Sequence, residues 1–181
     1  MTQIDLYKGA PSPFWTFSLA VYGRKGVPPA CLTLQDAAGV DVNVLLFSLY
    51  LGSEGRALSV EDVRSIRDII EPWRRDVVVV LRTARRALKE PPSPFEGPAV
   101  DALRKAAKAA ELEAERIQQE MLFVSFPLES TGKAVADTAE SCKGNVEAYR
   151  LLLGTTFDGP AVATLIEAVA ATVSASRGEH A

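Results

Sequence analysis

Apolar residues recur with helical spacing along almost the whole chain, which predicts an all-α protein. Short helices are expected over 13–23, from Pro28 to Gly39, and over 42–52. The third of these is apolar on nearly every side, so we expect it to occupy the centre of the domain. Asp41 is placed to cap its N-terminus, and Gly39 to end the helix before it.

Two further helices are predicted before a proline-rich segment. Ser59 and Asp62 have the spacing of a capping box at the start of the fourth helix. Pro72 is expected to end that helix and to begin a fifth helix over 72–90. The prolines that follow predict a linker over 91–97, which we interpret as a subdomain boundary.

The second half of the chain predicts a long helical hairpin. An apolar seam with steps of three and four runs through a helix expected over 98–126, roughly 40 Å long. A seventh helix over 133–153 is expected to fold back along this seam, and an eighth follows. The prediction is one compact domain of seven or eight helices. Its parts are an N-terminal subdomain over 1–90, the hairpin and final helix over 98–175, and a disordered tail over 176–181.

The composition is typical of a globular protein and argues against several kinds of site. The single histidine, His180, lies in the predicted tail, where it cannot serve a nucleophilic triad or a zinc site. Cys31 and Cys142 are expected to be buried, reduced thiols. We expect no cofactor and no metal ion. The chain starts without a signal-peptide pattern and has no apolar run long enough to span a bilayer, so we expect a cytoplasmic protein.

The net charge of −3 is unevenly distributed. Residues 1–89 hold 12 basic and 9 acidic side chains, whereas residues 90–181 hold 8 basic and 14 acidic ones. Much of the positive charge lies on the fifth helix, here called the arginine helix, with Arg74, Arg75, Arg82, Arg85, Arg86 and Lys89. Arginine side chains suit carboxylate and phosphate groups, so this helix is a candidate site for an acidic protein or an anionic ligand. The alternative is a solvated face that the acidic second half partly neutralises.

A second candidate site is the stretch over 35–43, here called the polar cluster. Asp36 stands in the last turn of its helix, where its charge opposes the helix dipole. Asn43 stands in the first turn of the most apolar helix, where a buried amide needs hydrogen-bond partners. The candidate ligand-binding residues are Gln35, Asp36, Asp41 and Asn43, with Trp15 and Tyr50 as walls. In the alternative, structural role, Asp41 is only a helix cap and Asp36 pairs with an arginine of the fifth helix.

Two segments carry a more specific pattern. They read Phe14-Trp15-x-Phe17-Ser18-Leu19 and Ala30-Cys31-Leu32-x-Leu34-Gln35-Asp36-x-x-Gly39-x-Asp41-Val42-Asn43-x-Leu45-Leu46-Phe47. Pro72-Trp73-Arg74 and Leu81-Arg82-x-x-Arg85-Arg86 continue it, so that it covers about residues 13–90. This pattern resembles an uncharacterised family of small proteobacterial proteins, a domain of unknown function. The resemblance implies a bacterial, cytoplasmic setting and groups the residues of the polar cluster together, but it implies no reaction.

From these observations we expect a non-catalytic interaction or adaptor module that uses the arginine helix. An enzyme is the less favoured expectation, because no catalytic pattern is present. Reversing Arg82, Arg85 and Arg86 to Glu is expected to abolish partner capture and to leave the fold intact. The first alternative is a small-molecule-binding or enzymatic site at the polar cluster. The second alternative is nucleic-acid binding, which the overall acidity and the lack of interleaved aromatic residues disfavour.

Overall fold

A computed structural model describes residues 11–178, and these are almost entirely helical, as predicted. The helices are α1 (Pro13–Tyr22), α2 (Val27–Ala38), α3 (Val42–Ser53), α4 (Val60–Trp73), α5 (Val79–Ala87), α6 (Pro98–Ser125), α7 (Thr138–Leu153) and α8 (Gly159–Gly178). A π-helical turn, Arg74–Val78, joins α4 to α5. Two short strands, β1 (Arg56–Ala57) and β2 (Lys133–Ala134), pair in antiparallel orientation.

Helix α3 forms the centre of the fold, as its all-round apolar surface predicts. Every residue from Asn43 to Ser53 is buried, and the helix packs against α1, α4, α6, α7 and α8. Phe14 of α1 meets Phe47 edge to face, with 4.8 Å between the ring centroids. The Asp41 side chain caps the helix by accepting hydrogen bonds from two backbone N–H groups of its first turn.

Pro72 lies inside a continuous helix, so the prediction that it separates two helices is wrong. The capping box of Ser59 and Asp62 starts α4 as predicted, but the helix continues through the π-helical turn into α5. Proline has no N–H to donate, and its ring crowds the carbonyl group four residues earlier. The π-helical turn at Arg74–Val78 begins two residues after Pro72, and the chain remains helical through it into α5.

The long hairpin forms between α5 and α6, not between α6 and α7 as predicted. Helix α6 packs along α5, whereas α7 packs on α3 and α4. Leu103 and Val124, which belong to the predicted apolar seam, are exposed. The buried face of α6 instead carries charged and amide side chains, among them Glu111 and Gln118. The proline-rich segment over 91–97 therefore lies in the turn of this hairpin.

The C-terminal elements differ from the prediction at their ends. Helix α7 begins at Thr138, because residues 133–134 pair with β1. Helix α8 extends to Gly178, so the predicted tail is helical over 176–178, and residues 179–181 with His180 lie outside the described residues.

Within α8, the stretch Gly159–Ser176 is long enough and apolar enough to span a membrane, with a mean hydropathy of 1.3. Core helices of soluble proteins can have the same composition, and this helix packs on α2 with Ala161, Leu165, Ala168 and Val169 in the core.

Candidate ligand-binding cleft

A cleft of about 450 Å³ lies between α1, α2, α5 and α6, and the N-terminal turns of α3 form part of its lining. Both candidate regions of the sequence contribute to it. The polar cluster supplies Gln35, Asp41 and Asn43, and the arginine helix supplies Arg82, Arg85 and Arg86. The structure therefore brings the two separately predicted sites together into one.

Arg82 organises the polar floor of this cleft. Its Nε–H donates to Glu111 Oε1 at 2.9 Å, and its Nη2 donates to Glu115 Oε1 at 2.6 Å. Its Nη1 donates to Gln35 Oε1 at 3.0 Å, so one guanidinium joins α2, α5 and α6. The Arg82 side chain is 20% exposed and the Glu111 side chain 8%, so the pair is largely removed from water.

The two carboxylates beside Arg82 have opposite pKa shifts. Burial raises the pKa of Glu111, but hydrogen bonds from Arg85 and Arg82 outweigh it and hold the pKa below its ordinary value. Burial also raises the pKa of Glu115, and the opposing effect of Arg82 is too small to reverse it. The floor thus holds one carboxylate fixed in its ionised form and a second that ionises less readily.

Asp41 connects the start of α3 with α4 and α6. While Oδ1 caps α3, Oδ2 lies 2.9 Å from Arg74 Nε and accepts a hydrogen bond from Gln118 Nε2 at 3.2 Å. The Asp41 backbone N–H donates to the Tyr149 hydroxyl oxygen at 2.9 Å. A smaller cavity of about 290 Å³, lined in part by Arg74 and Tyr149, lies on the other side of Asp41. Asp41 is therefore both the predicted cap and a part of the cleft.

The side chain of Asn43, which the sequence marks as needing partners, bonds to Gln119 and to the backbone carbonyl of Glu115 on α6. Gln119 Nε2 donates to Asn43 Oδ1 at 2.7 Å, and Gln119 Oε1 accepts a hydrogen bond from the Ser18 hydroxyl at 2.7 Å. Gln118 differs, because it is 1% exposed and its Oε1 has no hydrogen-bond partner among the described residues. A buried acceptor without a partner costs about 1–3 kcal/mol, so Gln118 marks a place in the cleft lining where a donor is missing.

Large apolar side chains that are open to solvent, here called the apolar wall, also line the cleft. The wall consists of Trp15, Leu19 and Tyr22 of α1, Leu32 of α2 and Leu112 of α6. Four of the five, all except Trp15, are among the exposed large apolar residues of the described chain. Exposed apolar side chains scattered singly need no explanation, but a group that lines one cleft is typical of a binding site.

Asp36 and Tyr50 do not line the cleft, although both belong to the predicted site. Asp36 lies at its rim, 57% exposed, with Oδ1 at 3.7 Å from Arg86 Nη2. This is the predicted pairing with the arginine helix, in the form of a loose surface pair. Tyr50 is buried in the core, where its ring packs against Phe14 and Phe17.

The arginine helix does not present a continuous cationic face. Arg82 and Arg85 turn toward Glu111 in the cleft, and Arg74 turns toward Asp41. The remaining cations are solvent-exposed. Arg75 pairs with the neighbouring Asp76 at 2.7 Å, and Lys89 lies 3.9 Å from Glu90.

Sequence analysis missed the residues of α6 that complete the site. These are Glu111, Glu115, Gln118 and Gln119, spaced by four, three and one residues so that they share one helix face. The predicted apolar seam contains Ala114, which is buried between Glu111 and Gln118, but its spacing does not indicate these polar neighbours. The available signal was the acidic charge on α6, opposite in sign to the arginine helix and separated from it only by a short proline-rich segment.

The cysteines and the possible metal ligands of the described residues indicate no further chemical site. Cys31 and Cys142 are buried free thiols, as predicted. Burial raises the pKa of Cys31 to about 12 and that of Cys142 to about 11, so neither is a reactive thiolate. Within residues 11–178, no group of three or more His, Cys, Asp or Glu side chains is arranged to hold a metal ion.

Comparison with known proteins places the cleft inside a family match. Residues 13–122 match the family model described as "Protein of unknown function (DUF2390)". The match extends beyond the 13–90 resemblance, through the proline-rich segment and most of α6, and it contains all the residues that line the cleft. No curated protein and no solved structure matches the chain.

Proposed function

We propose that this chain, which belongs to the DUF2390 family of proteins of unknown function, binds a small molecule in the cleft between α1, α2, α5 and α6. One observation carries the proposal: exposed apolar side chains and a floor of fixed polar groups line the same cleft. Pockets for small molecules typically combine these two features, because the apolar surface supplies affinity and the few polar groups supply orientation.

The size and the rigidity of the cleft support this proposal. Its volume of about 450 Å³ lies within the range of about 300–1,000 Å³ that is usual for ligand pockets. Arg82 holds three partners on two neighbouring helices, so the floor is organised before any ligand arrives. Preorganised groups bind with a smaller entropic cost.

The proposal can be tested with N-phenyl-1-naphthylamine, a neutral aromatic probe that fluoresces in apolar surroundings. We expect saturable binding to the wild-type protein. Leu112→Ser removes part of the apolar wall and is expected to weaken binding about tenfold, which corresponds to about 1.4 kcal/mol. Leu151→Ser is the matched control, because Leu112 and Leu151 are both 53% exposed and Leu151 does not line the cleft.

Equal binding by the two leucine variants would contradict the proposal, as would the absence of saturable binding. Circular dichroism should show the same helix content in both variants, since neither side chain is part of the core. A difference in affinity then reports on the cleft and not on folding.

We also propose, as a second candidate function, that the chain binds a protein partner at the end of α5 and the turn that follows it. Arg86 and Lys89 lie at the end of α5 with their side chains 55% and 66% exposed, and Phe95 in the following turn is also exposed. A partner with acidic and apolar side chains fits this end of the hairpin. We expect the double variant Arg86→Glu, Lys89→Glu to lose salt-sensitive capture of a bacterial protein, and unchanged capture would rule the surface out.

A further inference from the structure

We infer that the ligand of the cleft is an amphipathic anion: a free small molecule with an acidic head group at Lys108 and Arg86 and an apolar body along the wall. The inference rests on the proposed function, that the cleft binds a small molecule. It adds the charge of that molecule and its orientation, which follow from the side chains around the cleft.

The cleft carries more positive than negative side chains. Its cations are Arg82, Arg85, Arg86 and Lys108, and its carboxylates are Asp41, Glu111 and Glu115. Asp41 is in addition held by Arg74, which approaches from outside the cleft. Glu115 ionises less readily than an ordinary glutamate, because burial raises its pKa. The positive surplus therefore favours an anion inside the cleft.

The cations of the cleft differ in how many hydrogen-bond and ion-pair partners they already have. Arg82 donates to three partners, and Arg85 binds both carboxylate oxygens of Glu111. Lys108 lines the cleft without an ion-pair partner among residues 11–178, and Arg86 has only its distant, exposed contact with Asp36. An anionic head group would thus find two available cations without breaking a buried pair.

These two cations lie at one end of the cleft, beside the apolar wall. Lys108 precedes Glu111 by three residues and Leu112 by four, so the three side chains share one face of α6. Arg86 directly follows Arg85, which binds Glu111, so Arg86 lies near the same level. A head group at Lys108 therefore places the rest of the molecule on Leu112. The lining of α6 continues to Gln119, roughly 16 Å farther along the helix, where the groups are neutral amides.

A cationic ligand finds no free partner in this cleft. Glu111 is shared by Arg82 and Arg85, Glu115 is held by Arg82, and Asp41 is held by Arg74. A cationic ligand would therefore compete with arginines that already neutralise these carboxylates, so it gains less there than an anion gains at an unpaired cation. The apolar wall in turn disfavours a small inorganic anion, which would leave that surface uncovered.

The test compares two probes that share the anilinonaphthalene ring system. 1-Anilinonaphthalene-8-sulfonate carries a negative charge, whereas N-phenyl-1-naphthylamine is neutral. We expect the sulfonate to bind the wild-type protein about tenfold more tightly and to lose most of that advantage in Lys108→Gln. The neutral probe should lose much less affinity than the sulfonate in this variant, because it has no charged group to pair with Lys108. Lys105→Gln is the control, because Lys105 lies one turn away on α6 and does not line the cleft.

The outcomes separate the two proposals. If both probes bind equally well and Leu112→Ser weakens both, the cleft binds small molecules but the inferred anion preference is wrong. If Lys105→Gln and Lys108→Gln weaken the sulfonate to the same extent, the preference reflects the general charge of α6 and the inferred head-group site is wrong. If Leu112→Ser changes the affinity for neither probe, the proposed function is wrong and the inference is wrong with it.

Discussion

Arg82 of α5 donates a hydrogen bond to Glu111 of α6 at 2.9 Å, and this contact joins the two helices of the hairpin at the floor of the cleft. Each partner has further bonds, since Glu111 also binds Arg85 and Arg82 also binds Gln35 and Glu115. The pair therefore has two roles: it holds α6 against α5, and it forms part of the floor of the cleft.

Arg82→Ala is expected to destabilise the protein by about 3 kcal/mol, because it leaves the buried Glu111 carboxylate with one arginine fewer and leaves Glu115 and Gln35 without their donor. Urea unfolding followed by circular dichroism measures this change. Arg75→Ala is the control, since Arg75 pairs with Asp76 on the exposed surface, and we expect little effect from it.

Similar unfolding midpoints for the two arginine variants would contradict a structural role for the Arg82 pair. The same geometry changes the expectation for the triple reversal of Arg82, Arg85 and Arg86 to Glu. From sequence alone this variant is expected to keep its fold. In the structure it places two new carboxylates against Glu111, so we now expect it to unfold.

The helices could be predicted from the sequence, but their packing could not. Periodicity and caps such as Asp41 are local properties, and they gave the order of the helices and the central place of α3. The face that α6 buries is decided by its partners. Charged residues in a helix normally face water, and Glu111 is buried only because Arg82 and Arg85 meet it from a helix more than twenty residues away. That pairing has no local signature in the sequence.

Asn43→Ala is expected to destabilise the protein by about 1–3 kcal/mol, whereas Asp36→Ala should have little effect. Asn43 is buried and accepts a hydrogen bond from Gln119 Nε2 at 2.7 Å, so its removal leaves this buried donor without its acceptor. Asp36 has only a 3.7 Å contact with Arg86 at the surface. Thermal unfolding of both variants measures the difference. Equal losses would mean that the polar cluster acts as one structural unit, contrary to its geometry.

Glu115→Gln and Glu111→Gln are expected to change the pH dependence of stability in opposite directions. The pKa of Glu115 is raised by folding from about 4.5, so its contribution is present below that pH and is lost as pH rises through the folded pKa. The pKa of Glu111 is lowered, so its contribution is present above about pH 4.5 and is lost as pH falls through the folded pKa.

The measurement is the urea midpoint of each glutamine variant relative to wild type between pH 3 and pH 7, roughly one to three pH units around the ordinary pKa of glutamate. Relative to wild type, Glu115→Gln should gain stability as pH rises, and Glu111→Gln should lose it. Parallel curves for the two variants would show that the two carboxylates share one environment. That result would contradict the structure, in which Glu111 pairs with Arg82 and Arg85 and Glu115 pairs with Arg82 alone.

Gly52→Ala is expected to destabilise the packing of α3 on α7 by about 2 kcal/mol, because a side chain at this position overfills the interface. A Cβ atom at Gly52 would lie 2.8 Å from Cys142 Cα and 2.9 Å from Cys142 N, and these backbone atoms cannot move aside without shifting the helix. Gly144→Ala in α7 is the matched control. Its Cβ would meet nothing within 4 Å, so the better helix propensity of alanine should stabilise the protein by about 0.5–1 kcal/mol. Urea unfolding of the two variants should therefore give shifts of opposite sign, and a neutral Gly52→Ala would mean that the two helices lie farther apart than this contact indicates.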